Sequence, residues 1–569
     1  MSARRGIAIA AAAAVIILSL LLVFDHTRQD SFSADEPVHI LAGYLQVFGR
    51  TAIVNIEHPP LMKELAGLAL TRLPLPPPPA AIPMGNRFTD YGHALLFEGP
   101  VSPDAIASTA RAPFLLVFGA LLLLLFLAAR ARYGMAAGLF AVSLVAFDPN
   151  FVAHAGIVHT DVGAALTFLA AVFAWERARR GGWGRIAVAA LALGAALVTK
   201  FSSIYLPPIL LLQALLAARG EPDPAREAGR AVARLALVGA GAALVVFGTY
   251  AVVCSRMDPV LQRGVIHEMV AERGSPRLSA AVEKVASVSP PIGHYLGGLA
   301  SVAAQNAQGG GVNYLFGRVS VQGFPSYFFV AFLFKSTLAF LFVTAVCLVS
   351  SFRDRVARSD ARLWLVPVAV LFLASAGASY NIGLRHLLPI YPFLALAAAG
   401  VFSRLAGRQP RLSLLALVAL PALSVVELAH IHPNELSYFN ALAGGPVGGR
   451  RILSDSNVDW GLDLKRLAVE LRRRQFSQPT VVYFGGDDVF YRVGVADFSA
   501  EPEVRGRTIA ISAFHLAAGP EFYAYHGARN ISSALERLRR DLAARGRLLG
   551  RAGYSIDIYD LPPKETSLR

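Results

Sequence analysis

Cysteine and charge are both scarce in this sequence. Only 2 of its 569 residues are cysteines, and 16% of the residues are charged whereas 55% are hydrophobic. Cys254 falls near the outer end of one predicted span and Cys347 in the inner half of another, so the two do not meet, and neither a disulfide framework nor a cysteine-based metal site is implied. So few charges in a chain of this length exclude an ordinary soluble protein. The composition therefore predicts an integral membrane protein.

The net charge of +15 raises the question of nucleic-acid binding, which requires basic residues on one accessible face. The arginines instead recur in every second connection between apolar stretches, the pattern of loops that face the cytoplasm. Most of the excess charge therefore sets the topology, and nucleic acid is excluded as a partner. These arginines are Arg4, Arg5, Arg130, Arg132, Arg177, Arg179, Arg180, Arg185, Arg219, Arg226, Arg230, Arg234, Arg353, Arg355, Arg358, Arg362, Arg404, Arg408 and Arg411.

The apolar stretches predict about eleven transmembrane helices, of which the first, near 7–24, is interpreted as an uncleaved span rather than a signal peptide. An odd number of spans places the N-terminus in the cytoplasm and everything after Ala429 outside. We expect a membrane domain over 1–430, with large outer loops at 25–111 and 254–326. The other stretches lie near 112–129, 135–147, 162–175, 186–199, 203–218, 235–253, 327–350, 363–379, 387–403 and 412–430.

Residues 431–569 differ from the rest, because they are polar and nearly balanced in charge. Short β-like runs alternate there with helical patterns such as SALERLRRDLAARGRL, which predicts a soluble α/β domain on the outer face. The β-like runs are RRILSDS, TVVYFGG, TIAISAFHL and YSIDIYDL.

Two carboxylates, Asp35 and Glu36, follow the first span in the segment SADEPVHI. The next apolar residues have helical spacing and predict an amphipathic surface helix, which would hold Asp35 at the interface. Asp35 and Glu36 could equally be N-cap residues of that helix. Glu57 and His58 precede two prolines in the same loop. They could bind a divalent cation, but without a third ligand we expect no metal and no required cofactor.

Further ionisable residues occur at the predicted outer ends of spans: Asp161, Lys200, Arg385 and His386. Such residues are costly unless they pair with one another or serve a substrate path. A structural pair of Asp161 with Lys200 or Arg385 and a substrate role are both open at this point.

The order of several motifs resembles a known group. These motifs are the Asp-Glu pair, EHPPLMK, a span ending in HTD, LALGAALVTKFSSIYLPP, GLRHLLPIYPF and ELSYFNALAGGPVGGRRILSDSNVDWGLDLKRL, spread from residue 35 to about 466. Together they resemble bacterial members of the protein O-mannosyltransferase-like group, which has the GT-C fold and is related to the lipid A aminoarabinose transferase. The resemblance implies an inner-membrane enzyme that passes a sugar, with inversion, from a polyprenyl phosphate to a protein, lipid or glycan acceptor on the outer face.

The resemblance makes Asp35 the general base, and the chemistry agrees, because an acceptor hydroxyl must lose its proton as the glycosidic bond forms. The leaving lipid phosphate needs fixed cations, for which Arg385 and Lys200 are candidates. The related aminoarabinose transferase has a lysine where this chain has His58. We therefore assign hydrogen-bond donation to the phosphate to His58 and His386, and supporting positions to Glu36, Glu57 and Asp161.

A transporter or flippase of a lipid-linked or anionic substrate is the main alternative. Transporters usually carry their polar residues at mid-membrane in paired repeats. Here the charges collect at the ends of spans and no repeat is evident. A scaffold or receptor that binds through its C-terminal tail would leave Asp35, Lys200 and Arg385 unexplained.

Overall fold

The computed structural model describes residues 2–79, 87–271, 276–353, 355–476 and 478–563. Its apolar runs form helices, because a backbone in hydrocarbon must satisfy its own hydrogen bonds. In the first half these are α1 Ser2–Gln29, α2 Glu36–Tyr44, α3 Leu61–Leu70, α4 Arg87–His93, α5 Pro103–Tyr133, α6 Met135–Ala146, α7 Pro149–Ala155, α8 Asp161–Ala178, α9 Trp183–Leu197, α10 Leu206–Ala218 and α11 Pro224–Val253.

The second half of the membrane domain begins with three helices that carry no predicted span. They are followed by a short antiparallel hairpin and five more helices. The bounds are α12 Pro259–Ala271, α13 Pro276–Val288, α14 Pro290–Gln308, β1 Asn313–Leu315, β2 Arg318–Ser320, α15 Tyr327–Lys335, α16 Leu338–Arg353, α17 Arg355–Ala376, α18 Tyr391–Arg408 and α19 Pro410–Ile431.

Six helices of the described residues are long and apolar enough to cross a membrane, and two bent pairs raise the number to eight. The pairs are α6 with α7, bent by 67°, and α15 with α16, bent by 119°. The stretches expected to span as α8, α9 and α17 are not among the eight. Helix α9 has only 15 residues, and α8 carries three charged residues, Asp161, Glu176 and Arg177. The predicted fold class of a many-span helical membrane protein is confirmed, with six to eight such helices instead of eleven.

The C-terminal segment forms the predicted α/β unit, a four-stranded sheet in the order β3-β4-β6-β5. Strands β3 and β4 are parallel, and the other neighbours are antiparallel. The elements that follow α19 are α20 Gly445–Gly449, α21 Leu464–Arg473, β3 Thr480–Val482, α22 Val489–Val493, β4 Thr508–Ser512, α23 Ala513–Tyr525, α24 Arg529–Arg545, β5 Arg547–Ala552 and β6 Ile556–Asp560.

One β-like run was assigned wrongly. RRILSDS forms no strand but a turn with one isolated bridge, between Leu453 and Leu315, followed by a 3-10 turn over Asp455–Asn457. The run pairs with β1 at this one residue and has no partner in the four-stranded sheet, because the segment packs against the membrane domain. Strand β5, in turn, follows directly after the helical pattern of α24, and the sequence did not indicate it.

The C-terminal unit is hydrogen-bonded to the loop between α1 and α2. Ser31 N donates to Leu462 O at 3.0 Å, and Ala34 N donates to Trp460 O at 2.9 Å. On the other side of this loop, α2 crosses α3 at Gly43, where an added Cβ would lie 2.1 Å from Lys63 O. The chain immediately before α2 is therefore held between the membrane domain and the C-terminal unit.

Candidate functional site

Asp35 occupies the N-cap position of α2, but its side chain makes no capping hydrogen bond. Its side chain is 39% exposed, whereas Ser33 and Glu36 on either side of it are buried. The side chain of Asp35 therefore does not act as an N-cap of α2. The carboxylate faces an opening next to three elements that are distant in the sequence.

A buried arginine and a buried histidine lie beside this carboxylate. Arg385 Nη2 donates to Asp35 Oδ2 at 3.3 Å, and His159 Nε2 lies 3.5 Å from the same oxygen. Arg385 Nη1 is 2.8 Å from His159 Nε2. A guanidinium can only donate, so Nε2 of His159 accepts and its proton is on Nδ1.

The other side of His159 leads to a second ion pair. His159 Nδ1 lies 2.7 Å from Asp161 Oδ2, and Lys200 Nζ donates to Asp161 Oδ1. Arg385 Nη1 is 3.7 Å from Asp161. Asp161 is therefore paired with both of the basic residues considered from the sequence, and its buried charge fixes Lys200 and His159 in place.

Glu36 faces away from the opening and is fully buried. Arg111 grips it with two hydrogen bonds of 2.7 Å, and the backbone N–H groups of Ser33 and Val158 donate to it at 3.0 and 3.1 Å. The same arginine donates to the carbonyls of Thr27, Asp30 and Ser31. Glu36 therefore anchors the loop that presents Asp35, and Arg111 is a residue of this region that the sequence did not single out.

Glu57 and His58 lie on the turn before α3, and both are half-buried. Lys63 Nζ donates to the backbone carbonyls of Asn55 and His58 at 2.7 and 2.6 Å, which ties this turn to α3. Burial lowers the pKa of Lys63 to about 7, and the charge of Glu57 opposes that shift. The charge of Glu57 thus favours the protonated form of Lys63, the residue that holds this turn.

His39 is a residue of the site that the sequence analysis missed. It lies one helical turn after Asp35, a spacing that could have indicated a shared face. Its ring centroid is 4.9 Å from that of His58 and 4.7 Å from that of His159. Both of its ring nitrogens are buried, and no hydrogen-bond partner for them lies among the described residues.

The three histidines could hold a metal ion, since one ring nitrogen of each lies within 4.8 Å of the others. Burial lowers the pKa of His39 and of His58, and the neighbouring imidazole lowers each further. Neutral imidazole is the form that binds metals. His159, however, already contacts Arg385 with one ring nitrogen and Asp161 with the other. A metal ion here would have to displace Arg385.

The electrostatics keep Asp35 ionised. Burial raises the pKa of this carboxyl, but the positive charge of Arg385 outweighs it and holds the pKa below its ordinary value. An ionised, partly exposed carboxylate next to a buried guanidinium can accept a proton while an anion binds beside it.

His386 follows Arg385 in the 3-10 turn Leu384–Ile390. Its Nε2 is buried, and no hydrogen-bond partner for it lies in the described part of the chain. Its ring lies 6.2 Å from that of Phe328. The structure thus brings Asp35, Asp161, Lys200 and Arg385 into one chain of contacts. The ring of His58 lies beside it, 4.9 Å from that of His39 in a tilted arrangement and 5.4 Å from that of His159 in an edge-on one.

Comparison with known families gives one match. Residues 106–250 match the family described as dolichyl-phosphate-mannose-protein mannosyltransferase. The resemblance predicted from the sequence is confirmed over those residues, which include His159, Asp161 and Lys200. No curated protein matches the sequence.

Several solved structures are similar to this chain at low identity. ArnT from Cupriavidus metallidurans bound to undecaprenyl phosphate is 12% identical, covers 97% of this chain and 98% of its own, and has a TM-score of 0.47. The apo oligosaccharyltransferase of Archaeoglobus fulgidus is 11% identical, covers 98% and 75%, and has a TM-score of 0.48. The archaeal oligosaccharyltransferase AglB from Archaeoglobus fulgidus, with an inhibitory peptide and a dolichol-phosphate, is 12% identical, covers 98% and 75%, and has a TM-score of 0.47.

Proposed function

We propose that this protein is a membrane glycosyltransferase that moves a sugar from a polyprenyl phosphate to a hydroxyl of a protein, lipid or glycan. The observation that carries the proposal is the partly exposed Asp35 carboxylate, 3.3 Å from the buried guanidinium of Arg385. One group suits the proton of an acceptor, and the other suits the charge of a leaving phosphate. The match of residues 106–250 to a family named for a lipid-phosphate sugar donor supports this reading.

In the proposed step the acceptor oxygen attacks the anomeric carbon and the bond from that carbon to the phosphate oxygen breaks. Asp35 takes the acceptor proton, and the electron pair of the broken bond stays on the polyprenyl phosphate. Arg385 stabilises that charge by hydrogen bonding. His58 and His386 are proposed as further donors to the phosphate.

The proposed step inverts the anomeric centre. Retention by double displacement needs a second carboxylate as nucleophile. Asp161 contacts His159 and Lys200, and Glu36 is bound by Arg111. Asp161 and Glu36 therefore support the site, and Lys200 acts on the phosphate through long-range charge while it holds Asp161.

The placement of the site follows the charge pattern of the loops. We propose that the protein lies in a bacterial inner membrane with its N-terminus in the cytoplasm, and that α8, α9 and α17 cross this membrane together with the eight helices or bent pairs described above. The number of spans is then odd, so that the site and the C-terminal domain face the periplasm or the outside. The lipid-borne donor would then reach Asp35 from the bilayer.

The test is sugar transfer by the full-length protein in lipid nanodiscs, with a panel of radiolabelled polyprenyl phosphate sugars and a cell-envelope extract as acceptor. We expect labelled product from the parent and a loss of about a thousandfold in kcat with a folded Asp35→Asn variant. Equal product from the two proteins would remove Asp35 from the chemistry. Uptake of labelled lipid into vesicles without product would instead favour a flippase.

Two further measurements belong to the same assay. The anomeric configuration of the product, compared with that of the donor by NMR, tests inversion, and retention would contradict the single displacement. We expect transfer to persist in a chelator that removes zinc. Loss that added metal restores would assign the histidine cluster to a metal ion.

A further inference from the structure

The segment Asp455–Trp460 has no place in the chemistry described so far, and from the sequence it is only a cap between a strand and a helix. In the structure it is buried against the membrane domain: Ser456, Asn457, Asp459 and Trp460 are almost inaccessible. Asp455 has a φ of 57°, which costs free energy in a residue other than glycine. The surroundings must therefore hold this turn firmly.

The segment binds the turn that carries Arg385. Ser456 Oγ donates to Ile382 O at 2.5 Å and accepts from Arg385 Nε at 3.1 Å. Leu384 N donates to Asn457 Oδ1 at 3.0 Å. Hydrogen bonds from Ser456 and Asn457 thus fix the backbone on both sides of Gly383 and one edge of the guanidinium.

Trp460 covers one face of the Arg385 guanidinium. The guanidinium carbon of Arg385 lies 4.2 Å from the centre of the Trp460 ring, within the range of a cation–π contact. The same ring is 5.3 Å from His159, and the Trp460 carbonyl accepts from Ala34 N, next to Asp35. Trp460 therefore contacts Arg385, His159 and the loop that carries Asp35.

Ser456 and Trp460 together restrict how closely the guanidinium of Arg385 approaches the carboxylate of Asp35. A free arginine pairs with a carboxylate through two short parallel hydrogen bonds, as Arg111 does with Glu36. Arg385 makes one contact of 3.3 Å with Asp35, because its Nε is held by Ser456 and its plane lies against Trp460. Asp35 thereby keeps an open face for the acceptor proton, and Arg385 keeps an N–H group for an anion.

We propose that Trp460 and Ser456 are positioning residues, which hold Arg385 in the orientation that binds the donor phosphate and prevent it from closing on Asp35. This inference rests on the proposed function, since it names the residues that prepare the same phosphate site. It also gives the C-terminal domain a role, because the segment Asp455–Trp460 of this domain forms one wall of the site.

The test measures the affinity of the full-length protein in nanodiscs for undecaprenyl phosphate and, as a phosphate-free probe, for undecaprenol. We expect Trp460→Leu to weaken undecaprenyl phosphate binding about tenfold and Ser456→Ala about threefold, with undecaprenol binding unchanged. Trp460→Phe keeps an aromatic face and should retain affinity within about threefold of the parent. Equal loss with Trp460→Phe and Trp460→Leu would contradict the cation–π contact.

Ser437→Ala is the matched control. Ser437 is also buried and donates to this segment, at Val458 O over 2.7 Å, without touching Arg385. The Ser437→Ala variant loses the same kind of hydrogen bond and should keep its affinity for undecaprenyl phosphate within about twofold of the parent. A loss equal to that of Ser456→Ala would mean that the segment acts only by general stability, and it would overturn the inference.

A double-mutant cycle decides whether the two residues act through Arg385. In an Arg385→Lys background, Trp460→Leu should cost less than about twofold further, because the orientation it secures is already lost. An additive tenfold loss would overturn the inference. If the parent binds both lipids equally, the proposed function fails. If the parent prefers the phosphate and Trp460→Leu and Ser456→Ala keep the parental affinity for it, only this inference fails.

Discussion

Asp35 and Glu36 are neighbours in the chain, and each faces an arginine, yet the two ion pairs differ in every respect that matters for chemistry. Glu36 and Arg111 are both buried and joined by two hydrogen bonds of 2.7 Å. Asp35 and Arg385 make one contact of 3.3 Å, and the Asp35 side chain is 39% exposed. In the first pair the hydrogen-bonding positions are filled, whereas in the second Asp35 and Arg385 each keep hydrogen-bonding positions for a substrate.

The difference follows from what each pair must do. A buried charge in a structural pair needs every hydrogen bond filled, since an uncompensated ion in the interior is strongly destabilising. A catalytic base and an anion-binding cation must instead keep free positions for the substrate. Glu36 therefore holds the loop, and its neighbour Asp35 is the carboxylate available for reaction.

The largest expected contrast is in stability. Glu36→Gln removes the negative charge from the buried Arg111 and should lower the free energy of unfolding by about 3–5 kcal/mol. Asp35→Asn should change it by less than about 1 kcal/mol, because this side chain is partly solvated and makes one long contact. Denaturation of both variants in detergent, followed by circular dichroism, checks this. An Asp35→Asn protein as unstable as Glu36→Gln would remove the distinction between the pairs.

Replacing each arginine by lysine sharpens the same comparison. A lysine cannot reproduce a planar, stacked guanidinium. Arg385→Lys should raise the KM for the donor about tenfold and leave the unfolding midpoint near that of the parent. Arg111→Lys should instead lower the midpoint, and its folded fraction should keep the parental KM. Steady-state kinetics and thermal unfolding of the two variants separate these outcomes, and an unchanged donor KM in Arg385→Lys would contradict the phosphate role.

The open pair should also respond to pH through Asp455. Burial raises the pKa of Asp455 to about 7, while the charge of Arg385 opposes that shift and Asp35 adds to it. Below this pH the carboxyl is protonated and neutral; above it, a negative charge appears beside Arg385. One unit charge in a partly solvated site is worth about 1 kcal/mol, so donor affinity should fall about fivefold between pH 6 and pH 8.

The matched variant for this pH dependence is Asp455→Asn, which is neutral at both pH values. Undecaprenyl phosphate itself gains negative charge between pH 6 and pH 8, because the second pKa of a phosphate monoester is about 6, and this contribution is common to the parent and the variant. The affinity of the parent divided by that of Asp455→Asn should therefore fall about fivefold between pH 6 and pH 8. An equal change in the parent and in Asp455→Asn would assign the titration to another group.

The smallest effect is expected at a third set of charges, outside both pairs. Asp104 is exposed, and it contacts Lys465 and Arg492 of the C-terminal unit at 2.7 and 2.8 Å. Exposed ion pairs contribute little, so Asp104→Asn should change the free energy of unfolding by less than about 1 kcal/mol. Chemical denaturation measures it, and a loss comparable to that of Glu36→Gln would show that exposure does not separate these pairs.

Local patterns predicted much of the architecture. The apolar runs indicated helices such as α5 and α11, and alternating residues indicated β3, β4 and β6. Both succeed because helix and strand periodicities are properties of a few consecutive residues. RRILSDS was taken for a strand because its composition suits one, but it has no partner strand in the sheet. The segment is instead fixed by the hydrogen bonds of Ser456 with Ile382 and Arg385 and by the bridge of Leu453 to Leu315.

The candidate site was predicted only in part. Asp161, Lys200 and Arg385 were chosen because charges at the ends of spans are costly, and Asp35 because of the family resemblance and the need of an acceptor hydroxyl for a base. The structure places these four together. His39, Arg111, Ser456 and Trp460 were not assigned to it. Each is ordinary in its own stretch of sequence, and its meaning comes from partners 19 to 426 positions away, from His58 beside His39 to Ala34 beside Trp460.

The sequence by itself determined that the chain is a many-span membrane protein, since hydrophobicity and charge act on each segment separately. It also determined which ionisable residues stand at the ends of those segments. Only the tertiary structure decided which of two adjacent carboxylates is saturated and which stays open. That choice depends on the arginine that packing brings to each one, and no local pattern encodes a contact between segments hundreds of residues apart.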